Sequence, residues 1–111
     1  MELKTEKQDN ITIIKIEGNL DGTTSKDAQD QIMPLLESDC IIVFDMEKCQ
    51  FISSAGLRVL LMAAKELSKI GGKAGLACLS DEIAEVLKMT GFDNIFQSYD
   101  SVEEATAALQ K

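Results

Sequence analysis

Apolar residues along the chain switch repeatedly between two spacings. Ile11, Ile13 and Ile16, with Thr12, Ile14 and Lys15 among them, make a β-branched run that stops before Gly18. Such residues fit a pleated, half-buried surface, so the run predicts a strand. Leu3 to Lys7 is expected to pair with it across a turn at Gln8-Asp9-Asn10, since Asp and Asn accept turn conformations. Gly18-Asn19-Leu20-Asp21-Gly22 then reads as a loop. Ala28, Ile32, Leu35 and Leu36 recur at helical spacing, with Thr24 or Ser25 placed to cap the start. Pro34 lies inside that stripe. It lacks the N–H a helix needs, so a bend or a split is expected there.

Cys40-Ile41-Ile42-Val43-Phe44 is apolar without a break and ends at Asp45. Side chains that are apolar on both faces predict a central strand covered on both sides. Met46 to Ile52 reads as a connection ending in a short extended piece. The clearest helix follows, with Leu57, Leu60, Leu61, Ala64, Leu67 and Ser68 near i, i+3, i+4, i+7 spacing. Gly71-Gly72 closes it, because glycine takes the left-handed conformation past a helix end. Ala74 to Leu79 predicts another strand. Ser80 or Asp81 then caps a helix containing Ile83, Val86 and Leu87, which Gly91 stops. Ile95 to Tyr99 predicts a short strand. Ser101 opens a last helix with Val102, Ala105 and Leu109, at capping-box spacing from Glu104. The order is β-β-α-β-α-β-α-β-α. It predicts an α/β fold with a mixed, mostly parallel sheet of about five strands and about four helices, joined by right-handed crossovers.

Composition narrows the function. The 111 residues are 45% hydrophobic and 27% charged, which suits a single globular domain over 1–111. The excess of 19 acidic over 11 basic residues gives a formal charge of −8. Nucleic acid and anionic membranes repel such a surface. No apolar run approaches the roughly 20 residues of a membrane span. Three cysteines without a CxxC pair or a signal peptide predict a reducing, cytoplasmic setting with free thiols. With no histidine, a metal site would need an unusual cysteine–carboxylate set, so none is expected. Nor is an enzyme expected. There is no histidine base, no cysteine beside an activating cation and no phosphate-binding P-loop, so any ATP belongs on a partner.

The stretch from Asp45 to Leu61 carries the candidate chemistry. Ser53 and Ser54 stand where the strongest helix begins. One of them can be a plain N-cap. Alternatively, a hydroxyl there can accept a phosphoryl group, whose charge would meet free N–H groups and the positive end of the helix dipole. Close to two negative charges would then be added to the surface and repel an acidic or apolar partner. Gly56 has no side chain and would allow close backbone approach. Arg58, in the first turn, can meet a phosphate or a partner carboxylate. Leu57, Leu60, Leu61 and Met62 read as core or interface-edge packing.

Phe51-Ile52-Ser53-Ser54-Ala55-Gly56-Leu57 resembles the signature loop of the STAS domain, the module shared by anti-sigma factor antagonists and sulphate transporter tails. Gly18-Asn19-Leu20-Asp21 is similar to that family's Gly-x-Leu-Asp loop, and Ile42-Val43-Phe44-Asp45 to its strand ending in aspartate. The resemblance spans nearly the whole chain, in the right order. It implies a STAS fold and a bacterial partner-switching regulator of transcription and signal transduction. Such a protein binds an anti-sigma factor that is also a serine kinase, is released when phosphorylated, and is reset by a PP2C-type phosphatase. Carried onto this chain, the phosphoserine is Ser54, with Ser53 the alternative. Ser53 stands where many antagonists have aspartate, and Ala55 offers no third hydroxyl. Partner contact is expected from Asp21, Ser53, Ser54, Gly56, Leu57 and Arg58, with Asp45 anchoring the serine loop. For Asp21 the plainer role is a turn residue bonding nearby N–H groups. The family expectation is a monomer that forms heteromeric complexes and needs no cofactor. The alternative function is an unphosphorylated STAS subunit docked permanently in a lipid-transport or other transporter complex.

Overall fold

The first two strands, β1 (Glu2–Gln8) and β2 (Ile11–Glu17), pair antiparallel with Gln8 opposite Ile11. That register leaves only Asp9 and Asn10 in the turn, and Asp9 supplies a left-handed φ of 57°. A two-residue hairpin needs a positive φ, which Asp tolerates better than most residues. Residues 1–110 are described by this computed structural model. The strands β3 (Ile41–Asp45), β4 (Lys73–Ala77) and β5 (Gln97–Tyr99) continue the sheet in parallel, in the order β1-β2-β3-β4-β5. The helices α1 (Ser25–Ile32), α2 (Ser54–Ile70) and α3 (Asp81–Thr90) make the crossovers, and α4 (Val102–Leu109) ends the described chain. The expected order of elements holds throughout.

The layers follow from the alternation in β3. Ile42 and Phe44 pack with Ile14, Ile16 and Leu76 against residues of α1, α2 and α3. Val43, on the other face, packs with Ala77 against Ala105 of α4. A continuous apolar strand is therefore covered on both sides, as its sequence predicts. Phe44 is fully buried and meets Phe96 edge-on at 6.1 Å. Among the described residues, no helix is long and apolar enough to cross a membrane, and no cluster of three potential ligands could hold a metal.

Several boundaries shift for local reasons. Pro34 splits the first helical stripe: α1 stops at Ile32 and a 3-10 turn over Met33–Leu35 follows. β4 ends at Ala77 because Cys78 takes a left-handed φ of 62°, which turns the chain out of the sheet. β5 is shorter than expected because Phe92–Asn94 form a 3-10 turn, and Phe96 is drawn into the core. Ser80 and Ser101 both cap, accepting from the N–H groups of Ile83 and Glu104. Neither Thr24 nor Ser25 caps α1 through its side chain.

Candidate functional site

Past the ends of β2 and β3 the two chains stay zipped together. Gly18 N–H donates to Lys48 O at 2.9 Å, Leu20 N–H to Phe51 O at 2.9 Å, and Ser53 N–H to Leu20 O at 3.0 Å. Leu20 and Ile52 form a parallel bridge, and both side chains are buried. This brings the Gly18–Gly22 loop beside the start of α2, so two separate sequence motifs become one surface.

Gly56 makes that contact possible. A Cβ on Gly56 would lie 2.4 Å from Leu20 O and 2.9 Å from side-chain carbons of Leu20 and Ile52. The missing side chain thus admits this protein's own loop. Gly56 and Leu57 are both buried. Their place is under the loop, holding it.

The two serines have different surroundings. Ser53 is the N-cap of α2, extended at φ −99° and ψ 177°, and its hydroxyl accepts from Gly56 N–H at 3.4 Å. Ser54 is the first residue of the helix and is exposed. Among the described residues its hydroxyl makes no hydrogen bond, and the N–H groups of Ser54 and Ala55 have no acceptor. An anion attached to Ser54 would meet free donors at the positive end of a 17-residue helix.

Asp21 serves its own loop. Its Oδ1 accepts from Thr23 N–H at 2.9 Å and from the Thr23 hydroxyl at 2.8 Å, with the Thr24 hydroxyl at 3.4 Å. Its N–H donates to Thr24 Oγ1 at 3.0 Å, which is why Thr24 is not free to cap α1. The Thr23 hydroxyl, then the Thr23 N–H, hold the Asp21 carboxyl below the ordinary aspartate value. The turn role of Asp21 is therefore present in the fold.

Asp45 lies elsewhere. It accepts from Glu47 N–H at 3.1 Å and lines a groove of about 740 Å³ beside α4, together with Lys15, Glu47, Cys78 and Val102. Among the described residues the expected hydrogen bond from Asp45 to the serine loop is not made, because Asp45 lies on the α4 side of β3. The Cys78 thiol is pushed up by burial and by the nearby carboxylates of Asp45 and Glu47. Burial also raises Cys49, whose thiol donates to Phe51 O at 3.5 Å. Neither is poised as a thiolate nucleophile at neutral pH.

Arg58 is exposed and lines a shallow groove of about 380 Å³ between α1 and α2, with Ser25, Lys26, Gln29, Asp30 and Met62. Phe51 was not singled out from the sequence, yet it is 52% exposed beside the serine loop. The period-two alternation of an extended segment carries that signal: Ile52 goes inward, so its neighbours go out.

The sequence model of the STAS domain family matches residues 2–105. A Bordetella bronchiseptica protein described as an anti-sigma factor antagonist, BtrV, is 31% identical over 111 residues, covering 99% of this chain and 96% of its own length. An anti-sigma factor antagonist from Mycobacterium paratuberculosis has the same fold at a TM-score of 0.89 and 22% identity, over 99% of this chain and 94% of the other. The Bacillus cell fate determinant SpoIIAA, in its phosphorylated form, superimposes at a TM-score of 0.71 and 19% identity, over 96% and 98% of the two chains.

Proposed function

The chain belongs to the STAS domain family, and from that premise we propose that it is a partner-switching regulator of the anti-sigma factor antagonist kind. Unphosphorylated, it binds an anti-sigma factor that is also a serine kinase. The contact surface is the Asp21 loop and the start of α2, through Asp21, Ser53, Ser54 and Arg58. Phosphorylation of Ser54 releases the partner, and a PP2C-type phosphatase restores binding. The 31% identity to BtrV and the existence of a phosphorylated SpoIIAA support this reading.

The observation that carries it is the division of labour between the serines. The Ser53 hydroxyl is held as the helix cap, accepting from the Gly56 N–H at 3.4 Å, whereas Ser54 is exposed and its hydroxyl makes no hydrogen bond among the described residues. In the reaction, Ser54 Oγ forms a bond to the γ-phosphorus of ATP, the bond to the diphosphate leaving group breaks, and the hydroxyl proton passes to a base. Nucleotide and base both sit on the kinase. The protein's own activity is binding, not catalysis, and its setting is the cytoplasm. The phosphate adds roughly 1.5 to 2 negative charges to a chain already at −8. Like charges forced together across an interface cost several kcal/mol, and each 1.4 kcal/mol is about tenfold in affinity.

Incubation with the purified partner kinase and ATP, followed by intact-mass analysis and peptide mapping, tests the reading. Wild type and Ser53→Ala should each gain one phosphate, and Ser54→Ala none. Ser54→Asp should lose the partner. Phosphorylation of Ser54→Ala at the wild-type rate, together with full binding by Ser54→Asp, sinks the proposal.

A further inference from the structure

Ser54, Arg58 and Met62 are spaced by four along α2, and all three are exposed. Residues four apart share one helix face, so they form a single stripe leading from the serine into the α1–α2 groove. The groove's other charges are Lys26 and Asp30, which pair with each other at 3.4 Å. Arg58 makes no ion pair or hydrogen bond among the described residues. It stands one turn into α2, four residues after Ser54. No described residue pairs with this charge, and an anion brought from outside would.

Resting on the reading of Ser54 as the phosphosite, we propose that Arg58 reads the phosphorylation state. In the unmodified chain its guanidinium pairs with a carboxylate of a partner segment lying in the α1–α2 groove, and Met62 supplies the apolar contact beside it. Charge complementarity selects this occupant: the one uncommitted charge of the groove is a cation. When Ser54 carries phosphate, the phosphate and Arg58 face each other across one turn. An anion four residues N-terminal to a cation is the favoured orientation, and guanidinium binds phosphate oxygens in bidentate fashion. The phosphate then captures Arg58 and removes the anchor from the groove. Release thus has two parts, repulsion by the new charge and withdrawal of the cation.

The test uses full-length chain with phosphoserine placed at position 54 by genetic encoding, so it needs no kinase. A ³¹P NMR titration follows the second ionisation of the phosphate, ordinarily near pH 6. Arg58 should lower it by about half a pH unit relative to Arg58→Gln, with Arg58→Lys in between and Lys26→Gln without effect. Equal titrations in wild type and Arg58→Gln, or an equal change from Lys26→Gln, overturn the capture. In the unphosphorylated chain, Arg58→Gln should bind the purified anti-sigma factor about tenfold more weakly at an unchanged unfolding temperature. Wild-type affinity in that variant overturns the carboxylate pairing. If the kinase never modifies Ser54, the functional reading above fails, while the titration still decides whether Arg58 captures a phosphate there.

Discussion

Gly56→Ala offers a change whose expected sign opposes ordinary helix behaviour. Inside a helix, replacing glycine by alanine normally stabilises by about 1 kcal/mol. Here the added Cβ would sit 2.4 Å from Leu20 O, with two side-chain carbons at 2.9 Å. An ordinary carbon–oxygen contact lies roughly 0.8 Å further out, so the Leu20 loop or the start of α2 has to move. Leu20 cannot move freely. Its N–H and O are both held, by Phe51 O at 2.9 Å and by Ser53 N–H at 3.0 Å, and its side chain is fully buried. Overpacking a closed site costs about 1–3 kcal/mol, and weakening two backbone hydrogen bonds costs about 0.5–1.5 kcal/mol each. Against the propensity gain of about 1 kcal/mol, the net is a destabilisation of roughly 1–5 kcal/mol, centred on about 3 kcal/mol. Urea unfolding followed by far-UV circular dichroism should show a midpoint lower by about 1–2 M. Gly22→Ala is the control: nothing lies within 4 Å of its Cβ, so the same exchange should be neutral or slightly stabilising. If Gly56→Ala unfolds at or above the wild-type midpoint, Leu20 O does not confine α2 and the account of how the two motifs are joined is wrong.

Ser53→Ala should lower stability by about 0.5–1 kcal/mol, as loss of a long N-cap bond does, whereas Ser54→Ala should stay within about 0.5 kcal/mol of wild type; urea midpoints separate the two, and equal losses would contradict the cap assignment. Hydrogen bonds from Thr23 hold Asp21 below the ordinary aspartate value, so its folded state favours the carboxylate. The stability this adds is complete above the ordinary value and is lost as pH falls through the lowered one; unfolding curves between pH 5 and pH 2 should therefore fall less steeply for Asp21→Asn, and identical slopes would refute it. Burial and the carboxylates of Asp45 and Glu47 raise Cys78, so its alkylation should be slow at pH 7, speed up with rising pH, and be faster in Asp45→Asn. An unchanged rate in that variant, read by peptide mapping after iodoacetamide, would remove the carboxylate from the account.

The order of elements was legible because strand and helix periods differ and each helix carries its own punctuation. Gly71 and Gly91 end α2 and α3 in left-handed conformations, and Pro34 divides the first helical stripe. The places that escaped local reading are those set by contacts distant in sequence. Cys78 leaves the sheet at a left-handed angle that nothing in its side chain announces. Phe96 looks like a strand residue but is drawn inward to Phe44. The Leu20–Ile52 bridge likewise joins two segments separated by a whole crossover. Each motif was visible in the local pattern, whereas their meeting was expected only from the STAS topology that the resemblance implies. Asp45 shows the reverse error. Its position at a strand end was read correctly, but which face of β3 its carboxylate leaves from depends on register, and that register turns it to the α4 groove.

The choice between Ser53 and Ser54 depends on that same register. Either serine can begin a helix, and a shift of one residue would exchange cap and free hydroxyl. What prevents the shift is the backbone pairing ahead of it. Ser53 N–H is committed to Leu20 O, so Ser53 remains extended at ψ 177° and is the last residue of the zipped segment. The next residue is then the first with helical geometry, and Ser53 Oγ falls within reach of Gly56 N–H. Gly56 in turn lets Leu20 O come close enough to accept from Ser53. The exposure of the Ser54 hydroxyl is thus a consequence of a glycine two residues later and a carbonyl in another loop. It follows that a side chain at position 56 would perturb not only stability but also the identity of the free hydroxyl.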